Sequence, residues 1–257
     1  MRIGSFANFN FGLRQLEQNQ AQIAQSYERL ATGKKINRAS DDPSGMIAAT
    51  QHKVRIYSIE AEIKGLNRNA SFLGAKEGGL SVISEQLEEL NGLVVQAANL
   101  AGNSQEEQDA IKLEIESVLE SIDRIATTTT FKGQTILSEY RVGSIAEGLN
   151  SLATLAFEDP EAAQKIAKNS VDSVATKRAI IGNSLNEIDS KQSVLSDELI
   201  NLTDSLSSIE DTDFAAESAK LIRAQILEQA SILAIDINRQ SAQQVLSLLQ
   251  SAADTAK

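Results

Sequence analysis

Apolar residues recur along most of this chain at alternating steps of three and four, the pattern of long helices that bury a narrow seam. The first series runs Phe6, Phe9, Leu13, Leu16, Gln20, Ile23, Tyr27 and Leu30, with Gly33 placed to stop the helix. Gln20 puts an amide in that seam, which lowers stability and can fix register. A second helix is expected from Met46, carrying Ile59, Ile63, Leu66, Ala70 and Leu73, then Leu80, Ile83, Leu87, Leu90 and Val94. The Gly78-Gly79 pair between the two sets invites a bend. Around Gly102-Asn103 the chain should turn back as a helical hairpin. Ser104 and Glu107 have the spacing of a capping box for a third helix with Ile111, Ile115, Val118, Ile122 and Ile125.

The pattern changes at TTTTFKGQTILSEYRV, where β-branched and aromatic residues around Lys132-Gly133 predict a short strand or hairpin. Asp159 and Pro160 suit the cap and first position of another helix. Its seam is the most regular in the chain: Ala167, Val171, Val174, Arg178, Ile181, Leu185, Ile188, Gln192, Leu195, Leu199, Leu202, Leu206 and Ile209. At the rise of an α-helix these residues span roughly 65 Å. The last helix carries Ile222, Ile226, Ala230, Leu233 and Ile237 on one row, with Leu221, Leu227, Ile232, Ala234 and Ile235 on its flanks. Val245 and Leu248 extend its apolar surface. A helix apolar on nearly every side needs burial, and no run reaches the roughly 18 apolar residues of a membrane span. Burial against other copies of the chain is the remaining solution.

Two interruptions divide the pattern symmetrically. NRASDDPSG at residues 37–45 and the acidic residues Glu210, Asp211 and Asp213 lie at matching distances from the two ends. The expected organisation is all-α, with terminal helices 1–36 and 214–257 paired and linkers at 37–45 and 210–213. Between them a rod bundle spans 46–209, with a short β or irregular insertion at 128–160. A lone helix pair buries too little surface to offset its ordering entropy, so the termini should order fully only in an assembly.

Composition agrees with long helices: two prolines, no tryptophan and few aromatics. With no cysteine, disulfides and thiolate metal sites are excluded. Net charge is −11, made of +4 in residues 1–40, zero in 214–257 and −15 in 41–213. So acidic a middle disfavours nucleic acid and anionic membranes as partners. MRIGSFANFNF lacks the continuous apolar stretch of a secretory leader, so export by signal peptide is not expected.

Candidate chemistry is sparse. His52 is the only histidine, set among Gln51, Lys53 and Arg55, and reads as a surface residue rather than a ligand or base. Carboxylates such as Glu85, Glu88, Glu89, Glu114, Glu116 and Glu120 flank seams and read as solvated faces. Asp41 and Asp42 precede Pro43 and are expected to cap the next helix rather than bind a cation. No phosphate loop or nucleophile elbow is present. No catalytic, cofactor or metal site is expected.

The residues that carry this organisation resemble bacterial flagellin. NQAQIAQSYERLATGKKINRASDDPSGMIAA resembles the N-terminal signature of that family and SIEDTDFAAESAKLIRAQILEQASILAIDINRQSAQQVLSLL the C-terminal one, while FKGQTIL corresponds to the segment after its third helix. The resemblance implies an extracellular filament subunit for motility, with terminal helices lining an inner tube, the rods forming an outer tube and the linkers as spokes. It implies Phe6, Phe9, Leu13, Leu16, Ile23, Tyr27, Leu30, Ile222, Ile226, Leu233, Ile237, Val245 and Leu248 as the polymerisation surface. Implied partners are other copies of the chain, a type III flagellar export apparatus, an export chaperone at the last helix, and filament cap and junction proteins. The stretch between the matched halves is short, about residues 138–169, which implies a thin-walled filament. Where the family's immune-receptor patch carries Arg and Glu, this chain reads LEELNGLVVQ, with Asn91 and Gly92. A hook-filament junction protein of the same system is the alternative, and a coiled-coil signalling scaffold is the competitor from another class.

Overall fold

The computed structural model describes the backbone of residues 2–100 and 104–255, and the side chains of 9–99, 104–248 and 251. The elements are α1 (Arg2–Thr32), α2 (Pro43–Leu100), α3 (Gln105–Thr128), β1 (Thr130–Phe131), β2 (Gln134–Thr135), α4 (Val142–Ile145), α5 (Leu152–Glu158), α6 (Pro160–Glu210) and α7 (Phe214–Thr255). Among the described residues the protein is all-α apart from one two-stranded sheet. Two compact units result: residues 1–57 with 199–257, and residues 58–198. The long helices α2 and α6 contribute to both.

In the 58–198 unit the α6 seam faces inward throughout. Ala167, Val174, Ile181, Ile188 and Leu195 are buried, while Val171, Leu185 and Gln192 between them are half-buried. Here α2 and α6 run antiparallel, as shown by hydrogen bonds from Gln192 to Asn67 (3.0 Å) and from Arg178 to Glu77 (2.8 and 3.2 Å). Leu80, Ile83, Leu87, Leu90 and Val94 of α2 join Ile111, Ile115, Val118 and Ile122 of α3 in one core. Leu137, Tyr140, Leu149 and Leu152 from the segment before α6 complete it. The Asp123 carboxylate accepts the Val142 N–H at 2.8 Å and so ties α4 to α3.

Turn chemistry explains the local breaks. Lys132 and Gly133 have φ of 52° and 80°, the two positive values a two-residue hairpin turn needs, and pair Thr130 with Thr135. Asp159 accepts the Ala162 N–H at 3.1 Å, with Pro160 opening α6. Gly33, at φ 70°, ends α1. One expectation changes. Ser104 makes no side-chain cap; its carbonyl instead receives the N–H groups of Glu107 and Gln108, so the capping box does not form. At Gly78-Gly79 α2 stays helical, and a side chain at Gly79 would collide with Leu137, so this glycine permits close packing. The expected turn at Gly102-Asn103 lies outside the described residues.

Candidate assembly surface

The 1–57/199–257 unit is organised by α1 and α7, which pair antiparallel: Gly12 lies against Ile235 and Gly33 against Phe214. The inward row of α1 is Gly12, Leu16, Asn19, Ile23, Ser26 and Leu30, and that of α7 is Glu217, Leu221, Ala224, Glu228, Ser231 and Ile235. Both follow steps of three and four. Much of this seam is small or polar, so the two backbones approach closely and hydrogen bonds define the register. Asn19 donates to the Ser231 hydroxyl at 3.3 Å, Gln20 to Glu228 at 3.1 Å and Gln225 to the Tyr27 hydroxyl at 3.1 Å. The buried register amide is thus Asn19, not Gln20, which is exposed at the edge.

Two buried carboxylates fasten the unit. Glu217 accepts from the Ser26 hydroxyl at 2.7 Å and from Lys220 at 3.2 Å, with Arg29 at 3.8 Å. Burial pushes its pKa up, but Ser26 and Lys220 outweigh that and hold it below the ordinary value. Glu210 meets Lys34 at 2.7 Å and Lys53 at 2.6 Å, and again the two ammonium groups overcome the effect of burial and lower its pKa. Around it the chain just after α1 and the chain at the end of α6 pair through their backbones. Lys35 N–H donates to the Glu210 carbonyl at 2.7 Å and Thr212 N–H to the Gly33 carbonyl at 2.8 Å.

Asp41 and Asp42 divide their roles. Asp42 caps α2 by accepting the Gly45 N–H at 2.9 Å, as expected from Pro43 at the helix start. Asp41 turns back instead and accepts the N–H groups of Arg38 (2.9 Å) and Asn37 (3.1 Å), which lower its pKa. His52 sits 3.3 Å from the Ser205 hydroxyl. Among the described residues no group of His, Cys, Asp and Glu could hold a metal ion, and no helix is long and apolar enough to cross a membrane.

The apolar row of Ile222, Ile226, Leu233 and Ile237 on α7 points away from α1. Ile222, Ile226, Leu233, Ile237, Val245 and Leu248 are all exposed, Leu233 and Ile237 at 63% each, while Ala224 on the inward row is 2% exposed. On α1, Leu16, Ile23 and Leu30 face α7, Phe9 is half-buried, and Leu13 and Tyr27 are exposed. The side chain of Phe6 lies outside the described residues. Leu227 and Ile232, on the flanks of that row in the sequence, are exposed as well, and exposed Phe11 and Leu246 escaped the sequence reading. So did the roles of Asn19, Ser26, Glu217, Lys34 and Lys53, whose only signal was their place beside an apolar seam, and the pairing of Glu210, which the sequence marked only as part of an acidic break. Contiguous apolar surface of this kind marks a protein interaction site.

Long helices, an intramolecular seam of mixed small, polar and apolar residues and an uncovered apolar row are the features of a structural subunit. The chain belongs to the bacterial flagellin family: the family's N-terminal helical region matches residues 8–141 and its C-terminal helical region residues 165–249. Among curated relatives, the flagellar filament 30.7 kDa core protein of Treponema maltophilum is 28% identical over 92% of this chain and 95% of that protein. Flagellin of Listeria monocytogenes is 24% identical over the same shares. Flagellin of Salmonella muenchen is 31% identical over 58% of this chain but only 30% of its own length. The crystal structure of Bacillus cereus FlgL superposes with a TM-score of 0.47 at 17% identity, over 62% of this chain and 99% of that one. This is a short flagellin, a structural subunit of the extracellular flagellar filament.

Proposed function

We propose that the outward row of α7 is the surface through which copies polymerise, together with the exposed apolar residues of α1. The supporting observation is that Ile222, Ile226, Leu233 and Ile237 stay open to solvent while α7 is already paired with α1. Covering each contributes about 1.5–3 kcal/mol, and a filament repeats that gain at every subunit. In this reading, residues 1–36 and 214–257 form the inner tube, 46–209 the outer tube, and 37–45 with 210–213 the spokes. The subunit leaves the cell through a type III flagellar export apparatus. An export chaperone covers the apolar row of α7 until assembly, and cap and junction proteins meet the subunit at the filament ends. Its work is mechanical, with no reaction catalysed.

The test is Leu233→Asp. Leu233 is exposed in the single chain, so the substitution should change folding stability by no more than about 0.5 kcal/mol. Within a filament it would bury an unpaired carboxylate at several kcal/mol per interface. Calorimetry should find unchanged cooperative unfolding of the 58–198 bundle, and negative-stain microscopy should find no filaments. Normal assembly of the variant, or loss of its bundle, would refute the assignment.

A further inference from the structure

The 58–198 unit carries two exposed features that complement one another. One is a groove of about 390 Å³ between α2 and α6. Ile145 and Ile181 are buried in it, Phe72 and Ile180 stand exposed beside them, and Lys76 and Lys177 lie at its edge. The groove is well supported. Phe131 meets Phe72 edge-on, with ring centroids 5.7 Å apart, and Lys76 lies 5.2 Å from the centroid of the Tyr140 ring while bonding Glu139. Exposed Lys64 and Arg68 precede Phe72 at four-residue steps on α2, so the apolar opening sits in a basic stripe of an otherwise acidic segment.

The other feature is the outer face of α3. Glu106, Asp109, Leu113, Glu116 and Glu120 follow steps of three and four, all exposed, with Leu113 at 67%. This is the geometry of a helix seam, yet it holds one leucine between four carboxylates. The opposite face of α3, from Ile111 to Ile122, is fixed in the core. A single copy therefore cannot turn Leu113 into its own groove.

We propose that the Leu113 face of α3 in one copy docks in the Phe72–Ile180 groove of another copy. Leu113 fills the opening, and the carboxylates on either side of it meet Lys177 and the exposed Lys64 and Arg68 of the basic stripe, Lys76 being held by Glu139. Key and groove are different surfaces, so the contact is heterologous and propagates as an open series rather than closing as a dimer. The inference rests on the filament function and adds a second contact, separate from the α1–α7 surface.

The chain has no cysteine, so engineered thiols report the contact cleanly. Filaments of the double variant Leu113→Cys/Ile180→Cys, treated with a short bismaleimide, should give a ladder of cross-linked oligomers on a denaturing gel. A one-to-one copolymer of the two single variants should give dimers only, and each single variant alone none. In a second measurement, Glu116→Lys and Lys177→Glu should each raise the critical concentration for assembly by roughly tenfold, the effect of one lost charged contact, and their combination should restore much of it. Microscopically normal filaments without the ladder would overturn the proposal, as would dimers from Leu113→Cys alone or additive rather than compensating charge variants. Failure of the unaltered protein to form filaments would instead count against the filament function.

Discussion

Single carboxylates hold the terminal pair together and give it a pH dependence. Glu217 and Glu210 both titrate below the ordinary glutamate value of 4.5 in the folded chain. A group whose pKa is lowered by folding contributes stability that is complete above its unfolded pKa and is lost as pH falls through the folded one. The α1–α7 pairing should therefore be pH-independent near neutrality and weaken progressively below about pH 4.5. Glu217→Gln imitates the protonated state at every pH. It should weaken filaments at pH 7 by about 1–2 kcal/mol per subunit and flatten their acid dissociation curve, as followed by sedimentation. A variant with the unaltered acid response would place the titrating group elsewhere. At this scale the sequence marked Asp41-Asp42 as a capping pair, but separating the residue that caps forward from the one that turns back required the path of the linker.

Among the elements, the long helices were legible because 3.6-residue periodicity is a local property. Every α6 seam position from Ala167 to Leu206 is buried or half-buried. In α7 the sequence found the helix and its apolar excess but not its orientation. Apolar residues at neighbouring positions, such as Leu221 beside Ile222 and Ile232 beside Leu233, leave two adjacent rows nearly equivalent. The structure selects the row with Ala224 and Ser231, whose small side chains allow α1 close. That choice leaves only two helices and a modest apolar seam holding α1 to α7. In monomers, amide exchange should be rapid before about Ala39 and after about Asp213, and filaments should show protection there. Mass-spectrometric exchange on both states decides this, and strong protection of these segments in the monomer would count against folding on assembly.

For the whole molecule, shortness has consequences. Only residues 142–164 lie between the two regions that match the family, and in the structure this span is α4, α5 and the first turn of α6 packed onto the core. We propose a thin-walled filament with little beyond its helical rods, and a weak ligand for the host flagellin receptor. Asn91 is half-buried, and Gly92 presents no side chain and has open space around it. The patch therefore offers no charged group at either position where the family places Arg and Glu. A receptor reporter assay should show lower potency than a flagellin with those two charges, and Asn91→Arg/Gly92→Glu should raise it. Equal potency of the unaltered chain would reject the proposal.

The sequence by itself determined the long helices, the hairpin at Lys132-Gly133, the breaks near Pro43 and Asp213, and the excess of apolar surface, but not the short α4 and α5, which lie in the span expected to be β or irregular. Each depends on residues within a few turns of one another. Tertiary structure alone decided which α7 row faces inward, that Gly33 after α1 pairs with Thr212 after α6, and that Glu210 lies between Lys34 and Lys53. These contacts join positions more than 150 residues apart, and their energies come from packing and desolvation that no local pattern records.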